Sequence, residues 1–120
     1  MAAGIYNFII EQGATFERSF RYKNADGTAF DLQGQSFGAR LQIKDRIGGT
    51  SIAYFSTSDG GSDLTISDTN LISLVITSTV TTDMDFETAV YDLEIFSASK
   101  VIRLLQGKVK LSKEVTTLST

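Results

Sequence analysis

Apolar and polar residues alternate along most of this chain, in short segments separated by Gly, Asp, Asn and Ser. A period of two places successive side chains on opposite faces of a strand and is typical of a sheet with one buried face. In segment 15–23, for example, one face carries Phe16, Phe20 and Tyr22. Because such segments recur at a spacing of about 8–12 residues, the pattern predicts an all-β protein.

The chain contains no proline, so its turns depend on glycine and on asparagine or aspartate. Asp26-Gly27, Gly48-Gly49 and residues 58–63 are the clearest turn signals. About 7–8 short strands separated by such turns favour an antiparallel β-sandwich, although a barrel would give a similar pattern. With 120 residues the chain can bury a core without a metal or disulfide, and we predict a single domain over 1–120.

The alternation breaks in a threonine-rich segment near residues 78–86. Its apolar residues, spaced as in one or two helical turns, are Val80, Met84 and Phe86. Ser78 or Thr79 can act as the N-cap, and the threonines disfavour a long helix. The segment therefore predicts one short helical turn.

The last predicted strand, 101–111, places Arg103 on the same face as its apolar residues. We therefore expect a β-bulge near Arg103, or an edge position from which its guanidinium reaches water. Asp92 and Glu94 of the preceding strand are expected to face solvent and to pair with Arg103 or Lys108.

The composition excludes several kinds of function. The chain has no cysteine and no histidine, which removes thiol nucleophiles, catalytic triads with histidine and imidazole metal sites. Its 11 basic and 14 acidic residues give a net charge of −3, which argues against nucleic-acid binding. It has no apolar run long enough to span a membrane, and its first residues do not resemble a signal peptide. We predict no enzymatic activity and no cofactor.

Two groups of carboxylates could act as acid/base pairs or as calcium ligands. The first group is Asp83, Asp85 and Glu87, and the second is Asp59, Asp63 and Asp68. The spacing of the second group does not match the ligand positions of an EF-hand loop. We interpret the first group as a solvated face and the second as turn residues, and we predict no metal site. Gly48-Gly49 and Gly34–Gly38 lack the remaining residues of phosphate-binding motifs and are interpreted as turns.

Two resemblances concern the family and the fold. Residues 87–93, Glu-Thr-Ala-Val-Tyr-Asp-Leu, resemble the immunoglobulin segment that leads to the second cysteine, with Leu93 at the position of that cysteine. This implies an immunoglobulin-like sandwich in which Tyr91 forms a tyrosine corner. A wider set of segments along the chain resembles small β-sandwich tail and baseplate proteins of tailed bacteriophages. In outline, this set is similar to the N-terminal domain of baseplate upper proteins. It comprises segments 5–16, 26–34, 39–45, 90–94 and 103–116. Gln33 stands where that family has a threonine.

The resemblance to phage proteins implies a structural protein of the virion, a tail, baseplate or fibre-attachment subunit that acts by protein–protein docking. Its implied partners are other phage structural proteins and copies of itself, without nucleic acid or membrane. The implied location is the virion tail, after assembly in the host cytoplasm. The alternatives are a head decoration or head–tail connector protein, and a receptor- or glycan-binding module.

The C-terminal segment is the predicted docking site, and the alternative is a frayed terminus without a role. After Leu111 the alternation stops, and few apolar residues follow. The entropy cost of ordering such a tail exceeds what its apolar side chains return, so pairing with the sheet edge of a partner would have to order it. The residues predicted to dock are Lys113, Glu114, Val115, Thr116 and Leu118.

Overall fold

A computed structural model of the protein describes residues 4–57 and 63–113. This part of the chain is all-β, as predicted, with one short helix, α1 (Ser78–Thr82). The strands are β1 (Gly4–Ile5), β2 (Phe8–Glu11), β3 (Phe16–Arg21), β4 (Gly38–Lys44), β5 (Ser51–Ser56), β6 (Leu64–Ser67), β7 (Leu71–Ile76), β8 (Thr88–Phe96) and β9 (Val101–Ser112). None of the helical structure described here has the length and apolarity needed to cross a membrane.

The strands form two sheets. The smaller sheet is antiparallel, in the order β3-β7-β6. The larger sheet contains the antiparallel succession β9-β8-β4-β5, and both β1 and β2 pair in parallel with β9 along its other side. The N-terminal segment therefore runs along the last described strand.

Both sheets contribute to one hydrophobic core. The burial of β4, β7 and β8 alternates strictly, as the period-two pattern predicts. Fully or almost fully buried side chains from these strands are Leu41, Ile43, Ile72, Leu74, Leu93 and Ile95. On β3 and just beyond it, Phe16 is buried, whereas Phe20 and Tyr22 are half-buried against the core.

Helix α1 lies within the predicted segment, but its details differ from the prediction. Its N-cap is Thr77, not Ser78 or Thr79, and the cap residue makes no side-chain capping bond. The buried helical residue is Thr81, whose hydroxyl donates to the Ala14 carbonyl over 2.9 Å. That hydroxyl joins the helix to the turn between β2 and β3, which is why a polar residue occupies the inner face. Val80 faces solvent instead.

A bulge interrupts β9 near Arg103, as predicted. Leu105 pairs with Leu93 and Arg103 pairs with Glu94, which leaves Leu104 as an extra residue. Leu104 and Leu105 are both half-buried, whereas Arg103 is exposed. The extra residue shifts the alternation of β9 by one position, so the side chains before and after it that face the core differ in parity. The Arg103 guanidinium thereby stays out of the core.

Candidate functional site

The outer face of the larger sheet carries a groove of about 580 Å³. Residues of β4, β8 and β9 line it, together with Ile5 of β1 and Ile47 of the turn between β4 and β5. Ile5 is 77% exposed and Ile47 is 90% exposed. Large apolar side chains that share one concave surface indicate a contact region.

The wall that carries Ile47 is a short, ordered turn. The Asp45 carboxylate accepts a hydrogen bond from the Thr50 amide at 2.8 Å. Gly48 then reverses the chain with a φ of +76°, a conformation that glycine adopts without steric cost. The polar turn therefore holds an isoleucine out in solvent at the edge of the groove.

The opposite wall is fixed by contacts between the N-terminal segment and β8 and β9. The Tyr91 hydroxyl donates to the Tyr6 carbonyl at 2.6 Å, and the Lys108 amide donates to Asn7 Oδ1 at 2.8 Å. A Cβ atom at Gly107 would collide with the Tyr6 carbonyl oxygen and with Asn7. Burial, with a smaller effect of Tyr6, raises the pKa of the Tyr91 hydroxyl, so the hydroxyl keeps its proton to a higher pH than an exposed tyrosine would.

The charged groups of the groove are three cations around one carboxylate. Lys44, Arg103 and Lys108 line it with Asp92, which gives a local charge of +2 on a chain of net charge −3. The Arg103 guanidinium lies 3.6 Å from Asp92, whereas in the described parts of the chain Lys44 and Lys108 form no ion pair. Desolvation, followed by repulsion from Glu94, raises the pKa of Asp92, and Arg103 and Lys44 oppose this rise.

The sheet face beyond the groove is electrically balanced. Arg40 Nε lies 2.8 Å from Glu94 Oε1, and its guanidinium carbon lies 4.9 Å from the centroid of the Phe96 ring. Tyr54 is 46% exposed nearby. Because Arg40 already has an anionic partner and an aromatic partner, the lysines of the described residues that line the groove without an ion pair are Lys44 and Lys108.

The predicted cross-strand pairs are partly confirmed. Asp92 pairs with Arg103, as predicted. The Glu94 carboxylate forms its ion pair with Arg40, its register partner on β4, and not with Lys108 or with Arg103, its register partner on β9. The sequence pattern identified both acidic residues but not the order of the strands.

The two carboxylate groups do not form a metal site in the described residues. Residues 4–57 and 63–113 contain no group of three acidic side chains that could hold a metal ion. Asp83, Asp85 and Glu87 are all exposed, and Asp85 pairs with Lys113 at 3.0 Å. Asp68 lies in a turn with a φ of +50° and pairs with Arg21 at 3.2 Å. Asp59 lies outside the described residues.

Only one of the predicted docking residues can be placed. Lys113 is exposed, directly after β9. Glu114, Val115, Thr116 and Leu118 lie outside the described residues. Sequence reasoning missed the groove, because the residues that line it come from segments far apart in the chain. An isoleucine inside the polar turn 45–50 was the one local signal available.

The fold and the groove define an all-β protein with a solvent-open groove on the outer face of its larger sheet. The groove has apolar walls and a basic floor. No family model matches the chain, and a comparison with curated proteins gives no match.

Proposed function

We propose that this protein is a structural component of a bacteriophage virion, a tail, baseplate or fibre-attachment subunit that acts by protein–protein docking. Its partners are other structural proteins of the phage and copies of itself, and its location is the virion tail after assembly in the host cytoplasm. The resemblance of segments 5–16, 26–34 and 103–116 to phage tail and baseplate proteins supports this role.

The groove is the observation that carries the docking function. Its two most exposed apolar residues, Ile5 and Ile47, would be costly to leave in water unless a partner covers them. Both walls are held by backbone geometry and hydrogen bonds, so binding requires little ordering of the surface. The surface of another protein can fill such a groove, because it can offer apolar side chains and charged side chains together.

We further propose that the fold is an immunoglobulin-like sandwich. The order β3-β7-β6 corresponds to strands B, E and D of one immunoglobulin sheet, and β9-β8-β4-β5 corresponds to strands G, F, C and the variable-type addition C′ of the other. The shared core of the two sheets also supports this assignment. The tyrosine corner expected at Tyr91 is not formed, because the Tyr91 hydroxyl donates to the Tyr6 carbonyl in the N-terminal segment and not to a backbone group a few residues upstream.

A non-enzymatic role is part of the proposal. It is supported by the absence of histidine and cysteine from the whole sequence, which removes the commonest bases and nucleophiles. The groove likewise offers charged side chains and aliphatic walls rather than a nucleophile next to a base.

Immunogold labelling of purified virions of the encoding phage tests the proposed location. Antibodies against the folded protein should decorate the tail tip or baseplate, and pre-adsorption of the antibodies with the free protein should abolish the signal. Labelling of the head or neck would favour a decoration or connector protein. Virions without label would contradict a virion role, and saturable binding on a glycan array would then favour a glycan-binding module.

A further inference from the structure

We propose that the groove binds the α1–β8 corner of a second copy of this chain. The α1–β8 corner is defined here by Val80, Asp83 and Glu87. The proposal deepens the docking function above by naming one partner surface, and it rests on that function.

The charge of the groove determines what can fill it. With Lys44, Arg103 and Lys108 around a single carboxylate, two grooves placed face to face would bring like charges together. The occupant must therefore be acidic. It must also carry an apolar group, because Ile5 and Ile47 form the walls.

The rest of the same molecule has this acidic character. Since the groove carries +2 of a net charge of −3, the remaining surface carries −5. In the described residues, Asp83 and Glu87 form no ion pair, and both are exposed. They differ in this from Asp85, which Lys113 already neutralises.

The corner also provides the apolar group. Val80 is 40% exposed on α1, and Asp83 follows it at a spacing of three, which places the two side chains side by side on a helical turn. Glu87 directly precedes β8. An exposed valine with the Asp83 carboxylate beside it, and the Glu87 carboxylate at the start of β8, is complementary to a groove with isoleucine walls and free ammonium groups.

Nucleic acid is a less suitable occupant. Single-stranded nucleic acids stack their bases on exposed aromatic rings. Tyr91 is the one aromatic residue that lines the groove, and its ring is buried. A phosphate backbone would also meet the net negative charge of the protein.

Because the groove and the corner are different surfaces, each copy carries one of each. Such a contact can close into a ring or a two-fold pair, or continue as an open chain. The molar mass of the assembly distinguishes these forms.

Sedimentation velocity of the purified full chain over a range of protein concentrations, at low and at high salt, tests the proposal. The wild type should self-associate, and more weakly at high salt because charges drive the contact. The variants K44E/K108E and D83K/E87K should each associate at least about tenfold more weakly, since each places like charges together. An equimolar mixture of the two should regain association, because one variant keeps an intact corner and the other an intact groove.

The matched control is K23E/K100E, which has the same net charge as K44E/K108E but alters exposed lysines outside the groove. It should associate more strongly than K44E/K108E. A wild type that remains monomeric at low salt, or a mixture that fails to regain association, would overturn the proposal. Binding of a labelled single-stranded oligonucleotide that K44E/K108E abolishes would overturn it in favour of nucleic acid. Virion labelling is measured independently, so the proposed location can hold while self-docking fails.

Discussion

At the scale of single residues, the position of the N-terminal segment depends on a few side chains of β8 and β9. Gly107 leaves room for the Tyr6 carbonyl, and Tyr91 donates a hydrogen bond to that same carbonyl. Phe8 and Ile10, which follow, are buried in the core. The segment is therefore part of the folded unit, and Ile5 becomes a wall of the groove as a result.

The substitution Gly107→Ala should displace the N-terminal segment. The added methyl group meets the Tyr6 carbonyl and Asn7, so the backbone must shift and the bond between Asn7 and Lys108 must lengthen. Urea unfolding should show a loss of about 1–3 kcal/mol, as for other overpacked sites. The control is Gln106→Ala, an exposed neighbour whose loss should stay within about 0.5 kcal/mol. Equal effects of the two changes would argue against this close packing.

Tyr91→Phe should change how stability depends on alkaline pH. The pKa of Tyr91 is raised in the folded protein above its unfolded value of about 10. Above that pH the unfolded state releases the proton and the folded state retains it, so the wild type should lose stability as pH rises. The variant should lose about 0.5–1.5 kcal/mol at pH 7 with its hydrogen bond. The difference between the two proteins should then shrink from about pH 10 upwards in urea titrations, and a constant difference would contradict the raised pKa.

At the scale of elements, the bulge in β9 changes which residues of the strand face the core. Before the bulge the even-numbered residues face inward, and after it the odd-numbered residues do, so Arg103 and Lys108 both reach the outer face. Without the bulge, one of the two apolar stretches of β9 would turn towards solvent. The groove therefore depends on this irregularity as much as on regular pairing.

Single deletions in β9 test the role of the bulge. Deletion of Leu104 removes the extra residue and restores regular pairing, so we expect cooperative unfolding with a loss of about 1–3 kcal/mol. Deletion of Lys108 should be far more severe, because the register slip turns Gln106 towards the core. Circular dichroism and urea unfolding of the two deletion variants give the comparison. A stable Lys108 deletion and an unfolded Leu104 deletion would reverse the assignment of the extra residue.

Truncation after Lys113 tests the predicted C-terminal docking segment. Every described strand ends by Ser112, whose carbonyl accepts the Gln12 amide at 2.9 Å. The truncated protein should therefore melt within about 3 °C of the full chain, yet fail to join its partners in the virion. The full chain with V115S/L118S is the matched control and should fail in the same way, because it lacks the two apolar anchors. Normal assembly of both proteins would place docking elsewhere.

At the scale of the whole molecule, the described residues form two sheets around one hydrophobic core, and we predict that no metal stabilises this fold. The described residues contain no cluster of acidic side chains that could hold an ion, and the sequence has no cysteine or histidine. Thermal melts with EDTA and with millimolar calcium should therefore agree within about 1 °C, because a ligand that binds only the folded state raises its melting temperature. A calcium-dependent rise of several degrees would instead assign Asp59, Asp63 and Asp68 to a site.

The sequence by itself determined those features of this protein that depend on neighbours along the chain. A period of two predicts strands, its interruption near 78–86 predicts the short helix, and the misplaced Arg103 predicts the bulge. Glycine and aspartate mark the turns at 26–27 and 48–49. These features follow from local backbone geometry and from the preference of apolar side chains for burial and of charged side chains for solvent.

Only the tertiary structure decided which strands are neighbours and which side chains meet on the outer face of the sheet. Alternation does not encode strand order, so it could not predict that β1 and β2 pair with β9, or that Glu94 meets Arg40. The groove joins Lys44 to Arg103 and Lys108 across β8, and Ile5 to Ile47 across the sheet face. Contacts between residues so distant in the chain arise from the sum of many pairings and from shared burial, which no local pattern contains.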